Sequence, residues 1–545
     1  MNFIKLKSKE IFIYLIFFLI FIIGIAIYKD YGITLDDEIY RLNGQIYYEY
    51  IKILFTEKNL LDQNNLELLS LEFSGTTDII YHPVLFELIL ATFADIFNAK
   101  NTKEIYELSH ILNFIIFFLS LIPFYKIIYN KYSSETYSIF AVLILFFTPR
   151  IFAESFYNSR DIFFLSLFIF NLYSANLFLI KKNLKTSLFF SLTSALLINA
   201  KIIGIPVPII FLIFFFLNKS SNNNIYKKNL KYIFFIPFMT MFFMYISWPL
   251  LWSDPFYNFT KYLSWIITAQ DSLVLQNLYL GKYISSTVAP WHYRIVWFFI
   301  TTPVVVSVFF TIGFVLIFFN FLNNLMKLDD DNDNLWIDEK QMFDFFINVI
   351  MIATIVGSII GGSQFGGWRH LYFLYPIVII NGIYGYDFIN RYIKIKKVQI
   401  LILLLILFNS SYLLFWNYKN HPHQQVFFNF LSKKFINGNF DLDYWGLSNI
   451  YALKYIIKTD KNFPVKIGSV SFSNLKNNYL ILNEENKKKI SLIADFNLLN
   501  DSDYLITNYM KRFRKNFIID KEKYIKYFEI VIDEMPINTV YKKIN

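Results

Sequence analysis

Cysteine is absent from the 545 residues, so no disulfide staples an exported domain and no thiolate serves as nucleophile or ligand. Charge is scarce too, at 17% of residues, and the six histidines are scattered. No metal-ligand spacing built on His and Cys is therefore present. The charge that exists sums to +10, but Lys and Arg sit largely between hydrophobic segments, where membrane topology accounts for them better than nucleic acid does. No nucleic-acid partner is expected.

What fills the space is apolar surface. The chain is 56% hydrophobic and 21% aromatic, with 64 Phe and 39 Tyr, and this composition over such a length describes a polytopic membrane protein. The first apolar run, Ile11 to Tyr28, follows the basic start MNFIKLKSKE, which places the amino terminus inside. No small-residue cleavage site follows the run, so it is read as a retained transmembrane helix rather than a signal peptide. Its far end carries YGITLDDEIYRLNGQ, with Asp36, Asp37 and Glu38 in a row at the outer face. Within that loop Ile39, Leu42, Ile46, Tyr50 and Ile53 recur at helical steps opposite a polar face, which predicts an interfacial helix.

The segment HPVLFELILATFADIF is short for a span and carries Glu87 and Asp95. Placing it at the interface lets helices near 108–129, 136–149, 161–180, 185–200, 202–217, 231–250, 295–319, 343–361, 370–388 and 398–416 alternate, with YKIIYNKY, KKNLK, NKSSNNNIYKKNLK and NRYIKIKK all inside. Eleven spans are expected, with the carboxy terminus outside. The acidic connector KLDDDNDNLWIDEK falls inside in this scheme, where acids weigh little. Residues 1–416 then form the membrane module. Residues 417–545, with strand-like VKIGSV and DYLITNYM, form a small outer α/β domain.

Two adjacent acids at a membrane surface are ordinarily solvated, and a lysine such as Lys201 at an outside turn ordinarily snorkels to headgroups. Here they do not stand alone. Glu154, Arg160 and Asp161 emerge at a second outside loop where Pro149 breaks a helix, and Arg369 and His370 begin a helix after GGSQFGGW. Carboxylates and cations thus face one another at the depth of a lipid phosphate, and such charge is costly unless used. The arrangement suits transfer of a sugar from a lipid phosphate to a hydroxyl: a carboxylate acts as general base and cations hold the leaving phosphate. Carboxylates are able to hold a divalent ion here, but the sequence does not require one.

The order LDDE, YHPVLFE, FTPRIFAESFYNSRD, INAKIIGIPVP, the loop from WPLLWSDPF to GKYISSTVAPWHYRIVWFFITTP, then GGWRHLYFLYP, HPHQQVFFNF and DLDYWGLS resembles the membrane-embedded GT-C glycosyltransferases. The group resembled is that of the protein O-mannosyltransferases and aminoarabinose transferases, which use polyprenyl-phosphate sugars. The resemblance runs from about Leu35 to Leu447. It implies a GT-C fold, inversion at the anomeric carbon, and Asp37–Glu38 as the acidic pair, with Asp37 the base and Asp36 the competing choice. It also implies substrate contacts from His82, Arg160, Asp161, Lys201, Arg369 and His292. At the His82–Pro83 element Val84 stands where the family often has a second proline. A lipid donor, the bilayer and a glycan, lipid or protein acceptor are the implied partners, in a bacterial inner membrane with the site on the periplasmic side. The rival reading is a multi-span transporter or flippase, but transporters are commonly built from internal repeats, and none is visible. An inactive scaffold is disfavoured because the acidic pair and Lys201 are retained.

Overall fold

The structure is a computed structural model that describes residues 8–56, 63–217, 223–272, 274–327, 335–472, 475–510 and 518–544. Most of the basic start, the beginning of NKSSNNNIYKKNLK and the acid run of KLDDDNDNLWIDEK lie outside the described residues.

Helix α1 (Ser8–Ile27) leads into the first loop, which folds as α2 (Asp37–Thr56), α3 (Gln63–Ser74) and α4 (Leu85–Ile96). The periodicity of α2 is realised as expected, with Ile46, Tyr47 and Tyr50 buried. Its first apolar position, Ile39, stays half exposed. With 12 residues, α4 reaches only about 18 Å, well short of a hydrocarbon core of about 30 Å. Gly44 permits the contact between these two helices, because a Cβ there would sit 2.4 Å from the Glu87 carbonyl oxygen.

The bundle continues through α5 (Thr102–Tyr132), α6 (Glu135–Phe147), α7 (Pro149–Tyr157), α8 (Asp161–Lys181), α9 (Leu184–Ala200), α10 (Pro206–Leu217) and α11 (Asn223–Ser247). After α12 (Pro255–Ser272) and a hairpin of β1 (Gln276–Tyr279) and β2 (Lys282–Ser285) come α13 (Tyr293–Thr301), α14 (Val304–Met326), α15 (Glu339–Ile360), α16 (Tyr375–Tyr392) and α17 (Lys396–Lys419). Each of the eleven expected positions holds a helix. Among the described residues six helices are long and apolar enough to cross a membrane, and α6 with α7 makes a seventh broken by a 66° bend. The segment expected as one helix over 295–319 is divided, with α13 ending at Thr301 and α14 starting after Pro303. Proline has no N–H to continue the ladder and its ring collides with the preceding turn.

Burial orders these helices. In α8 83% of the apolar window is buried, whereas in α1 and α17 it is 11%, so α8 is the central post and the other two present Phe12, Phe18, Leu404 and Phe408 outward. At the C-terminal end of α8, Lys182 pairs with Glu339 at 2.8 Å, and Lys131 of α5 pairs with Asp344. The connectors that carry Lys131 and Lys182 and the start of α15 therefore share one end of the bundle. Asp161 heads the opposite end of α8.

Beyond α17 the chain first folds back onto the bundle: Val426, Phe427, Phe428, Trp445 and Leu447 belong to the same apolar core as the helices. After α18 (Lys433–Ile436) and α19 (Asn449–Thr459), β3 (Val465–Ser469), α20 (Leu475–Leu480), α21 (Glu484–Lys487), β4 (Ile490–Ile493), β5 (Tyr504–Thr507), β6 (Tyr524–Ile532) and β7 (Met535–Lys543) complete a small domain. Its sheet runs β4-β3-β5-β7-β6, parallel at β4-β3-β5 and antiparallel beyond. VKIGSV and DYLITNYM supply β3 and β5, as expected.

Candidate active site

The site starts from the corner between α7 and α8. Pro149 at the first turn of α7 is compatible with a new helix but not with continuation of α6, and every residue of α7 is buried. Asn158 ends that helix and organises the next. Its Oδ1 accepts from the Asp161 N–H at 3.0 Å, while its Nδ2 donates to Asp161 Oδ2 at 2.9 Å and to Glu154 Oε2 at 2.5 Å. Tyr372 donates to the other Glu154 oxygen at 2.9 Å. Asp161 thus sits at a helix N-terminus, where a negative charge is favoured.

Three cationic or ionisable side chains converge on this one buried carboxylate. Lys201, in the extended residue after α9, pairs with Oδ1. Arg369 Nη1 lies 3.4 Å from Oδ2, and His370 Nδ1 lies 3.7 Å from Oδ1. Arg369 is placed by Gly366 and Gly367, with φ of +67° and +69°, a region costly for other residues. A Cβ on Gly366 would meet Arg369 Nε at 2.6 Å. The guanidinium is boxed by Trp445, 4.3 Å from its carbon, and by Tyr444 at 5.0 Å. These cation–π contacts keep a desolvated charge in place.

From there Arg369 reaches the first loop, with Nη2 4.0 Å from Asp36 Oδ2. Asp37 Oδ2 accepts from the Thr34 N–H at 2.8 Å. Burial pushes the Asp37 carboxyl up to about 7, against the pull of the Thr34 N–H and with Asp36 and Glu87 adding repulsion. Glu38 faces outward to Lys476 of α20 at 3.7 Å. Beside it, Asn478 donates to the Ile33 carbonyl and accepts from the Ile33 N–H, both at 3.3 Å. The C-terminal domain therefore holds the segment that leads into the acids.

Arg160 faces the other way. Its Nε lies 3.2 Å from Glu87 Oε1, its Nη1 donates to the Pro83 carbonyl at 2.6 Å, and its guanidinium stacks 3.7 Å over the Tyr40 ring. His82 packs edge-on to Trp265 at 4.9 Å, and burial together with Arg160 lowers its imidazole to about 3. It is neutral at ordinary pH. Asp36, Asp161, Lys201 and Arg369 are thus connected, with Asp37 and Arg160 next to them in the chain and His82 and Glu38 on the flanks. His292 stands apart: it hydrogen bonds with Tyr279 Oη at 2.7 Å and its ring meets Trp291. Asn158, Tyr372, Tyr444 and Trp445 lie within the quoted motifs but were not singled out, and Asn478 lies outside them, because neutral polar and aromatic residues in an aromatic-rich chain do not stand out as charges do. Among the described residues no three His, Asp or Glu side chains converge to hold a metal ion.

Residues 81–248 match the family model described as dolichyl-phosphate-mannose-protein mannosyltransferase, a GT-C family. That segment contains His82, Glu154, Arg160, Asp161 and Lys201, and over it the resemblance to the mannosyltransferase and aminoarabinose transferase group is borne out. Over residues 81–248 the chain is thus similar to a GT-C glycosyltransferase family, and that segment lies within a largely helical bundle with several apolar helices. Among solved structures, ArnT from Cupriavidus metallidurans bound to undecaprenyl phosphate is similar at 8% identity, with 96% of this chain and 97% of that one covered and a TM-score of 0.44. The oligosaccharyltransferase AglB from Archaeoglobus fulgidus, in complex with an inhibitory peptide and a dolichol-phosphate, is similar at 10% identity and a TM-score of 0.41. There 78% of this chain is covered, and the chain spans 61% of the archaeal protein's length. No curated protein matches the chain.

Proposed function

We propose that the protein transfers a sugar from a polyprenyl-phosphate-linked donor to an acceptor hydroxyl at the outer face of the membrane, with inversion at the anomeric carbon. Asp37 takes the proton of the acceptor hydroxyl, and the oxygen attacks the anomeric carbon. The bond from that carbon to the phosphate oxygen breaks, and the electron pair leaves with the polyprenyl phosphate. Lys201 and Arg369 hold that anion. Asp161 positions both cations, and Arg369 also faces Asp36.

The observation that carries this reading is Arg369, which meets Asp161 on one side and Asp36 on the other. One side chain joins the cation group to the acidic pair. A general base needs its pKa near the working pH, and Asp37 at about 7 meets that requirement. The membrane module of residues 1–416, the outer domain of residues 417–545, the bacterial inner membrane and a periplasmic site all belong to the proposal.

The test is purified protein in vesicles with a polyprenyl-phosphate sugar. The expected result is release of polyprenyl phosphate together with a glycosylated acceptor. Movement of intact donor between leaflets without transfer would instead identify a flippase.

A further inference from the structure

A groove of about 320 Å³ opens between α2, α4 and the start of α5. It follows one face of α2 from Arg41 onward, one turn beyond Asp37, because Asp37, Arg41, Gln45 and Glu49 are spaced four residues apart and so stack on a single helix face. The last three line the groove, as do Tyr48, Glu87 and Lys100. Arg41 Nη1 donates to Gln45 Oε1 at 3.4 Å, while its buried Nε has no hydrogen-bond partner among the described residues. Tyr106, next to the lining residue Ile105, interacts with both Asp37 and Arg41. Glu87, at the Arg160 pair, joins the groove to the other side of the site.

We propose that this groove is the acceptor subsite and that it takes a carbohydrate, one ring of which lies along α2 with a hydroxyl presented to Asp37. The proposal rests on the transferase reading above. A sugar ring offers donors and acceptors around its rim, and the guanidinium, amide and carboxylates here supply both kinds of partner. Tyr48 and Phe73 add aromatic surface for its apolar face. The volume lies at the small end of ligand sites, which run from about 300 to 1,000 Å³, so it fits a ring or two. A peptide acceptor is recognised through a sheet edge or an apolar groove. These walls are helical, and charged side chains such as Arg41, Glu49 and Glu87 are set among apolar ones such as Leu90 and Ala94, so they offer neither a sheet edge nor a purely apolar groove. Cations and carboxylates are interleaved, so no single-sign field favours a polyanion.

The test compares a deletion strain of the native host complemented with wild-type protein, Ala94→Trp or Arg41→Gln. Ala94 lines the groove on α4, and a tryptophan there fills it without touching the Asp161 group. The readout is mass spectrometry of envelope glycans, glycolipids and protease-released glycopeptides, with protein level and binding of undecaprenyl phosphate to each purified variant measured alongside. The expected result is a sugar increment on a glycan that disappears in the deletion. It should fall at least about tenfold with Ala94→Trp, equivalent to about 1.4 kcal/mol, and less with Arg41→Gln, while undecaprenyl-phosphate affinity is unchanged. An increment on a glycopeptide overturns the carbohydrate acceptor. An increment that survives both substitutions overturns the groove. No difference between deletion and wild type overturns the transferase reading itself and the inference with it.

Discussion

The two ends of α8 carry charge in different ways. At the Lys182 end the pairs are one to one: Lys131 with Asp344 and Lys182 with Glu339. At the Asp161 end a carboxylate only 2% exposed is shared by Lys201, Arg369 and His370. A one-to-one pair answers its own desolvation and asks for nothing further. A shared carboxylate gathers several cationic groups at one place, which is what the proposed phosphate contact needs, and buried charge of this kind is expensive unless used.

The comparison is tested hardest at the acidic pair, which the Asp161 end possesses and the Lys182 end lacks. Asp37→Asn is expected to lower turnover by about 10²–10⁴-fold with normal insertion, since the amide keeps the shape but not the proton affinity. The wild-type rate should rise with pH and reach half its plateau near pH 7, because the base must be ionised and burial holds its proton to about 7. Full activity in Asp37→Asn with loss in Asp36→Asn would move the base by one residue. Full activity in both would remove the mechanism.

Lysines at the two ends give the next largest contrast. Lys201→Gln is expected to cost about 10- to 150-fold in donor affinity or turnover, the worth of a charge-assisted hydrogen bond to a phosphate, with Lys201→Arg recovering part. Lys131→Gln leaves Asp344 buried and unpaired, so a stability loss of about 3–5 kcal/mol is expected, with donor affinity unchanged. Thermal melting and donor titration on both variants separate the roles. A donor defect in Lys131→Gln, or wild-type kinetics in Lys201→Gln, would erase the distinction between the ends.

Much of this was legible in the sequence, for physical reasons that also mark where legibility stops. Apolar runs of span length, the period of α2 and the basic connectors follow from membrane physics that acts on every residue alike. Asp161, Arg160, Lys201 and Arg369 stood out because a charge beside a long apolar run has few uses. Asn158 did not, although it aligns both Glu154 and Asp161, because a neutral side chain in a short helix has no such contrast. The break before α14 was written at Pro303 but was overridden by the apolar run around it. Tyr444, Trp445 and Asn478 reach the site from a segment more than 70 residues beyond Arg369; DLDYWGLS marked the segment that holds the first two, but nothing local announces that it returns to Arg369.

Asn478 supplies a smaller effect. It is buried and bonds to both backbone groups of Ile33, the residue before Thr34, whose N–H steadies Asp37. Asn478→Ala should lower kcat by about fivefold, roughly the loss of 1 kcal/mol of hydrogen bonding. The acid limb of the pH profile should shift at the same time, which a purely structural asparagine would not cause. An unchanged profile with reduced protein yield would assign the residue to folding alone.

The least effect is expected three turns of logic away from the buried charges, at Lys476. Its ammonium lies 3.7 Å from Glu38, and 71% of the side chain is exposed. Water and salt screen such a pair, and holding a long side chain in one geometry offsets most of what attraction remains. Asn478 sits two residues further along and carries no charge, yet it is enclosed and bonds to both backbone groups of Ile33. If the contact between α20 and the acidic segment works through enclosure rather than charge, Lys476→Gln should change kcat by less than about twofold at 0.15 M salt. Raising the salt should leave wild type and variant together. A salt-sensitive loss larger than that of Asn478→Ala would reverse the ranking and make the outer domain's hold on Glu38 electrostatic.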